Sequence, residues 1–257
     1  LWILEQDHDR SSYTYPTLSN DGRGTTVCAT GMTWGGMRPS DDKMTYHYNI
    51  PANMFASVAL GHMLDMANVL WPDASWIKDA TLLQQEIDEG IRRYGTVNGR
   101  YAYEVDGCGG VLFADDANVP SLLSAPYLGY AVDEDVYAST RKWILSSSNP
   151  WYASGAVLSG IGSPHSGSKT VWPLALVMEA LTDVSSSDRV LDMVLRTSPH
   201  GLHESVSVDG RRTTRAWFGW ANALFSEWML AQTPPLWHTK KIKSFNSYSG
   251  LKKKESI

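Results

Sequence analysis

Two loop segments of this chain carry carboxylates in patterns suited to acid–base chemistry. The first, GMTWGGMRPSDDKMTY, places Asp41 and Asp42 close to Arg38 in a Gly-rich turn ahead of a helix. Neighbouring carboxylates beside an arginine can be tuned to different pKa values, so that one is ionised while the other keeps its proton. The second, PHGLHESVSVDGRRTTRAWFGW, places Glu204 before a Trp-rich stretch. The plainer alternatives are that Asp41 or Asp42 caps the next helix and that Glu204 is a solvated side chain.

Two further loops gather polar side chains that could hold a sugar. FADDANVPSLLSAPYLG contains Asp115, Asp116 and Asn118, and GIGSPHSGSKTVWP contains His165 among small residues. Carboxylates and carboxamides suit sugar hydroxyls, because each hydroxyl both donates and accepts a hydrogen bond. An N-cap cluster is the main alternative for the first loop. A calcium site is disfavoured there, because the loop lacks acids at alternating positions. His165 could equally be an ordinary surface residue.

The composition narrows the class of protein. The chain has 257 residues and a net charge of −5, with 43% hydrophobic and 19% charged residues, which excludes wholesale disorder. Six lysines and one glutamate follow His238, so the rest of the chain carries −10. Such an excess of negative charge before the Lys-rich end argues against nucleic-acid binding. Eleven Trp and twelve Tyr against five Phe favour surfaces with one apolar and one wet side, such as those that bind sugar rings.

The elements that must position these loops are mostly helical. Apolar periodicity predicts seven helices, at residues 51–70, 74–93, 120–130, 133–145, 170–181, 186–196 and 214–231. Asp133 and Ser186 precede two of them as N-caps. The first helix is apolar over more than one stripe and therefore expects neighbours on several sides. RYAYEV alternates as a strand does, and VLFADD could pair with it as a hairpin. No transmembrane run is present in the sequence.

The two cysteines and the first residues of the chain give information on disulfide formation and on cellular location. Cys28 and Cys108 are too few for a disulfide framework or a four-ligand zinc site, and free thiols are favoured, although one bridge is possible. The chain begins at Leu1 with no visible signal peptide, and we expect an N-terminal portion to be missing. It contains no Asn-X-Ser/Thr acceptor, which weakly disfavours a heavily glycosylated protein.

At the level of whole motifs the chain resembles glycoside hydrolase family 125, the exo-α-1,6-mannosidases that include meiotically up-regulated 157-type proteins. The resemblance lies in GMTWGGMRPSDD, DDANVPSLLSAPYLG, GIGSPHSG, VWPLALVMEAL and GLHESVSVD, followed by RAWFGWANALFSEW, with WILEQDHDRSSYTY at the start. It implies an all-α fold, an (α/α)6 toroid of helical hairpins that is incomplete here, with a minor β-hairpin. Residues 1–232 would then be the C-terminal portion of a catalytic domain, and residues 233–257 a flexible Lys-rich tail.

The resemblance also implies roles for the loop residues. It implies inverting, metal-independent and cofactor-free release of terminal mannose from N-glycans or mannan, and these substrates give a weak preference for a secretory or extracellular location. Asp41 or Asp42 would be the general acid and Glu204 the general base, with carboxyl groups about 6.5–9.5 Å apart to admit a water. The remaining candidates would hold the mannose ring: Trp34, Arg38, Asp115, Asp116, Asn118, His165 and Trp217.

The chain also departs from the family pattern. A full toroid needs about twelve helices, whereas the periodicity predicts seven, and Val206 replaces a residue that is usually aromatic after the HES motif. Two other classes therefore stay open. The chain could be an inactive sugar-binding remnant, or another toroid enzyme such as a sugar epimerase, because a fold does not dictate function.

Overall fold

The computed structural model describes residues 14–232. Most of the opening motif and the expected Lys-rich tail lie outside these residues. No helix in the described range is long and apolar enough to cross a membrane.

Six helices of ten or more residues form the scaffold. They are α1 (Ile50–Leu70), α2 (Trp76–Gly90), α3 (Glu134–Ile144), α4 (Pro173–Thr182), α5 (Ser187–Thr197) and α6 (Gly219–Gln232). Each overlaps a helix that the periodicity predicts. Shorter helical turns occur at Ser19–Gly22, Ile91–Gly95, Pro164–Ser166 and Val184–Ser186. The mostly helical class is therefore confirmed.

Side-chain caps fix where two of the helices begin. Asn49 caps α1 by accepting the Ala52 N–H at 3.0 Å. Asp133 caps α3 by accepting the Val136 N–H at 3.0 Å, as the sequence predicts. The predicted Ser186 cap is wrong, because that side chain makes no cap hydrogen bond to α5. Its hydroxyl instead donates to the backbone oxygens of Glu179 and Asp183.

The predicted helix at residues 120–130 is wrong, and consecutive turns occupy the segment. Pro126 lies in its middle, where it has no N–H to donate and disfavours helical conformation in the preceding residue. The backbone N–H groups of Leu122 and Leu123 donate instead to the Asp115 carboxylate. The start of the predicted helix at residues 170–181 is also displaced, because Thr170–Val171 form a strand before α4 begins.

Four small antiparallel sheets link the helices in the described residues. Their strands are β1 (Tyr48–Asn49), β2 (Thr96–Val97), β3 (Arg100–Tyr101), β4 (Glu104–Val105), β5 (Val111–Leu112), β6 (Tyr152–Ser154), β7 (Ser159–Ile161), β8 (Thr170–Val171), β9 (Ser205–Ser207) and β10 (Thr213–Thr214). The sheet orders are β1-β4-β5, β10-β9-β8, β2-β3 and β6-β7. The predicted hairpin is confirmed as β4–β5, in which Glu104 faces Leu112. The structure holds more strand than the single hairpin expected.

Helix α4 lies at the centre of the core. All residues from Pro173 to Ala180 are buried, and α5 and α6 both pack on this helix. Helix α1 packs against α2, but its other side leaves apolar groups in solvent. Phe55, Met66, Val69 and Leu70 are between 44% and 78% exposed there. A stripe of this kind on one helix marks a surface that another element or partner would cover.

Cys28 and Cys108 form a disulfide across 80 residues of sequence, so the expectation of free thiols is wrong. The Cys28 N–H also donates to the Asp106 carbonyl at 2.8 Å. The bridge therefore attaches the segment preceding the RPSDD loop to the turn between β4 and β5. It lies beside Gly107, where an added Cβ would come within 2.5 Å of the Cys28 carbonyl oxygen.

Candidate active site

The RPSDD segment forms a tight loop that separates its two aspartates. The Arg38 N–H donates to the Asp42 carbonyl at 2.8 Å, and the Asp41 N–H donates to the Arg38 carbonyl at 2.9 Å. Asp41 takes a left-handed backbone conformation with φ of 65° and lies exposed. Asp42 is partly buried, and its Oδ2 accepts the Ser40 hydroxyl at 2.8 Å. Neither aspartate caps α1, because Asn49 holds that position.

Three of the predicted loops meet at Asp42. The Nδ1 atom of His165 lies 3.8 Å from Asp42 Oδ2. Ser40 donates to Asp42, and its hydroxyl also lowers the pKa of the Asp116 carboxyl. The Ser163 hydroxyl donates to Asp116 Oδ2 at 3.1 Å, next to His165 in the chain. We call Ser40, Asp42, Asp116, Ser163 and His165 the acid cluster.

Asp116 is almost fully buried within this cluster. Its Oδ1 accepts the N–H and the side-chain Nδ2 of Asn118, at 3.0 and 2.9 Å. Burial raises the pKa of Asp116, while hydrogen bonds from Asn118, Ser163 and Ser40 oppose that rise. Asn118 is buried too, so it orients Asp116 instead of facing solvent.

Asp115 has no exposed surface and is occupied by the backbone. Its Oδ1 and Oδ2 accept the N–H groups of Leu122 and Leu123 at 2.8 and 3.0 Å. Burial raises the pKa of Asp115 to about 8, the two backbone donors notwithstanding. This placement argues against a direct contact of Asp115 with a sugar, because both oxygens accept buried backbone N–H groups of the turn that replaces the predicted helix. Asp115 thus shapes the turn behind Asp116.

Arg38 pairs with a buried carboxylate that the sequence analysis did not single out. Its Nε lies 2.6 Å from Glu104 Oε1 and its Nη2 lies 3.3 Å from Oε2. Glu104 Oε2 also accepts the N–H groups of Thr45 and Tyr46, at 2.8 and 3.1 Å. The guanidinium lies 4.9 Å from the centre of the Trp151 ring. Glu104 therefore fixes both ends of the loop that carries Asp42. The available signal was one acid within an otherwise uncharged strand segment, YAYEV.

Trp34 lies in the core instead of on an open surface. Its indole stacks on the His47 ring with a centroid separation of 5.1 Å and lies 5.9 Å from the Tyr15 ring. Only 7% of the residue is exposed. The structure therefore places Trp34 as a support for the RPSDD loop, and a direct contact with a sugar is not supported.

The second candidate carboxylate, Glu204, lies on a separate segment of the chain. It directly precedes β9, and its N–H donates to the Thr214 carbonyl at 3.2 Å. Its side chain is 10% exposed, and Oε1 lies 3.2 Å from Arg215 Nε. Strand β9 pairs with β8, which follows the His165 turn directly, so the same sheet connects the loops of Glu204 and His165.

Trp217 forms the most open part of this region. It is 64% exposed, and its ring packs over Gly201, where an added Cβ would come within 2.8 Å of Trp217 Cδ1. Gly201 takes φ of 129°, which disfavours any other residue there. An exposed indole that packs against backbone is a suitable platform for an apolar sugar face.

A cavity of about 480 Å³ adjoins the acid cluster. Its walls come from residues 150–154, 163–164 and 167–170, including Trp151, Ser163 and Lys169. Trp151 also contacts Arg38, and Ser163 contacts Asp116, so the cavity shares two walls with the groups described above. Within residues 14–232, no group of three or more His, Cys, Asp or Glu side chains is placed to hold a metal ion.

Comparisons with known proteins agree on one family. The model of the family described as metal-independent alpha-mannosidase (GH125) matches residues 6–230. The meiotically up-regulated gene 157 protein of Schizosaccharomyces pombe is 45% identical over 228 residues, which cover 83% of this chain and 44% of the relative. A metal-independent alpha mannosidase of Streptococcus pneumoniae, in a non-productive complex with alpha-1,6-mannobiose, is 44% identical with a TM-score of 0.85. That match covers 90% of this chain and 59% of the other, so the chain spans about half the length of these relatives.

Proposed function

This chain belongs to the GH125 family of metal-independent α-mannosidases, and from that membership we propose that it hydrolyses terminal α-1,6-linked mannose in N-glycans or mannan. The observation that carries the proposal is the acid cluster, in which a partly open Asp42 is surrounded by hydroxyl, carboxylate and imidazole groups from three loops. The family match and the mannobiose bound by the streptococcal relative support the substrate class.

We assign the general acid to Asp42 and not to Asp41. Asp42 points at the acid cluster, whereas Asp41 is exposed on the outer side of the loop. Glu204 is the general base. In an inverting reaction Asp42 gives its proton to the glycosidic oxygen as the C–O bond breaks, and Glu204 takes a proton from the attacking water. We expect the two carboxyl groups to lie about 6.5–9.5 Å apart when substrate is bound.

The groups around them hold the mannose ring in this proposal. His165 lies 3.8 Å from Asp42, and the Arg38 N–H donates to the Asp42 carbonyl. Trp217 offers an exposed face two residues after Arg215, the partner of Glu204. Asn118 and Asp116 act one step back: Asn118 donates to Asp116, which also accepts the Ser163 hydroxyl.

Residues 1–232 form the C-terminal portion of an (α/α)6 toroid in this proposal. Two observations support this: the matches cover only 44% and 59% of the relatives, and α1 presents an apolar stripe to solvent. Further helical hairpins packed on that stripe would bury it. The protein at the full length of its relatives is therefore the form in which the proposed activity is to be measured.

The proposal is tested by Glu204→Gln, which keeps the side chain's shape but removes the base. Hydrolysis of α-1,6-mannobiose should fall by about 10²–10⁴-fold, the range for a general acid–base group, while mannobiose still binds. Glu89→Gln is the matched control, because Glu89 is exposed and pairs with Arg92 at the end of α2. Its activity should equal that of the wild type.

Two further readouts separate this reaction from its alternatives. NMR of the first product should show β-mannose, the inverted anomer, and EDTA should leave the rate unchanged. Retained anomeric configuration, or activity lost to EDTA and restored by a divalent cation, would overturn the mechanism. Mannobiose binding without hydrolysis in the wild type would make the protein a sugar-binding module.

A further inference from the structure

We propose that the cavity between α1, α2 and α3 is a second carbohydrate-binding site, which takes a neutral hydroxylated ring such as a mannose unit. Its volume is about 600 Å³, which lies within the range of pockets that hold small molecules. Its walls share no residue with the acid cluster or with the 480 Å³ cavity beside that cluster. The inference therefore goes beyond the proposed reaction, because it concerns a place where sugar binds without being cleaved.

The first argument is an unused acceptor. Asp88, on α2, lines the cavity, and its Oδ1 atom is buried without a hydrogen-bond partner among the described residues. Holding a carboxylate oxygen out of water without a donor costs free energy. A ligand that donates a hydrogen bond to this oxygen would remove that cost.

The second argument is an unused donor. Tyr101 lines the same cavity and is only 6% exposed. Its Oη accepts the Asp133 N–H at 3.0 Å, which is the only hydrogen bond of that hydroxyl within residues 14–232. Burial raises the pKa of Tyr101, so the hydroxyl keeps its hydrogen at neutral pH. That hydrogen is available to a ligand that accepts a hydrogen bond.

The two unused groups decide the class of ligand. An ammonium group donates hydrogen bonds but accepts none, so it would serve Asp88 and leave Tyr101 unused. A phosphate or carboxylate accepts, so it would serve Tyr101 but bring a second negative charge into the cavity of Asp88. A sugar hydroxyl both donates and accepts, and a sugar ring carries several hydroxyls. One neutral ring therefore satisfies both groups.

The other walls also fit a neutral ring. Three aspartates line the cavity against one arginine, Arg92, and that arginine pairs with Glu89, so the cavity disfavours anions. Tyr130 is a partly exposed wall, and the face of its ring suits the apolar face of a sugar. Gln84 Nε2 donates to the Ser57 carbonyl at 2.9 Å, which leaves the Gln84 Oε1 to accept a further sugar hydroxyl.

The inference is tested by equilibrium dialysis with labelled mannose, which has no glycosidic bond to hydrolyse, on the protein at the full length of its relatives. Asp88→Ala should weaken the binding of one mannose about tenfold or more, because a hydrogen bond to a charged group is lost. Ala131→Trp, at an exposed residue of the cavity wall, should abolish that binding by filling the space. Neither variant should change the rate of α-1,6-mannobiose hydrolysis. Asp88→Ala should not lower the free energy of unfolding, because no described group donates to Oδ1.

Glu86→Ala is the matched control, because Glu86 is an exposed acid on α2 that does not line the cavity. It should bind mannose as the wild type does. If Asp88→Ala and Ala131→Trp both keep the wild-type number of bound mannose molecules and their Kd, the cavity holds water only and the inference is wrong. If both variants lose hydrolysis together with binding, the cavity belongs to the active site and is not a second site. The proposed function fails separately, when the wild type binds mannose but releases none from mannobiose.

Discussion

The loop that carries Asp42 and the loop that follows Glu204 differ in how firmly the protein holds them. The first is tied by a buried ion pair between Arg38 and Glu104, by two N–H groups donated to Glu104, and by the nearby disulfide. The second contacts Glu204 through Arg215, which is 61% exposed, and ends at the exposed Trp217. One side of the site is fixed before substrate arrives, whereas the other still has exposed groups to immobilise.

This difference fits the tasks proposed for the two sides. A proton donor must be aligned to within a fraction of an ångström, so a rigid mount lowers the entropy lost on reaching the transition state. The exposed Arg215 and Trp217 can instead move onto the sugar when it binds and so contribute to binding affinity. The contrast predicts that mutations on the first side reduce stability, whereas mutations on the second side reduce affinity.

The largest effect on stability is expected at Glu104. Glu104→Ala should lower the free energy of unfolding by about 3–5 kcal/mol, because Arg38 would be left as an uncompensated buried charge. Asp192→Asn is the matched control, since the Asp192–Arg196 pair is exposed and such pairs contribute about 0.3–0.5 kcal/mol. Urea titration measures both variants. A loss below about 1 kcal/mol at Glu104 would contradict the idea of a rigid mount.

A smaller effect is expected from the disulfide. Replacing both Cys28 and Cys108 by Ser should lower the free energy of unfolding by about 2–4 kcal/mol, because the unfolded chain regains the freedom that the bridge removes. The wild type should lose a similar amount when reduced, and the double variant should not respond to reductant. Wild-type protein that reacts as two thiols before any reduction would show that the bridge is absent.

The smallest effect on stability, and a clear one on affinity, is expected at Trp217. Trp217→Ala should change the free energy of unfolding by less than about 0.5 kcal/mol, as exposed positions do. It should raise the Kd for mannobiose about tenfold, equivalent to about 1.4 kcal/mol. Trp71→Ala is the control, because Trp71 is 59% exposed at the end of α1 and lies outside the site. If calorimetric titration gives both variants the wild-type Kd, Trp217 does not bind the sugar as proposed.

The scaffold could be predicted where local rules govern it. Helix α1 follows apolar periodicity, and α3 begins at a capping Asp133 that the sequence marks directly. The predicted helix at residues 120–130 is wrong because Pro126 in its middle lacks an N–H and disfavours helical backbone in the preceding residue, and apolar periodicity does not take account of that. Strands of two or three residues are too short to show the alternation of apolar and polar residues from which a strand is predicted. The Cys28–Cys108 bridge spans 80 residues, so no local signal could decide it.

The site was predicted in its parts but not in its connections. The loops of Asp42, Asp116 and His165 were named from residue type, and the structure brings them together. Glu104 was missed, since a glutamate in a strand usually faces water, and its arginine partner lies 66 positions away in sequence. The serine links were also missed, because a serine in a loop has many possible partners and only the fold selects one.

The disulfide has a consequence for where such an enzyme could work. Cys28 and Cys108 are both exposed, so small thiols in the surroundings can reach the bond. How firmly the Asp42 loop is held therefore depends on the redox potential of the surroundings as well as on packing within the protein. Cystines persist in the secretory lumen and outside the cell but are reduced by cytosolic glutathione. We therefore expect the protein with an intact Cys28–Cys108 disulfide to exist in the secretory lumen or outside the cell, where newly made glycoproteins also oxidise their thiols.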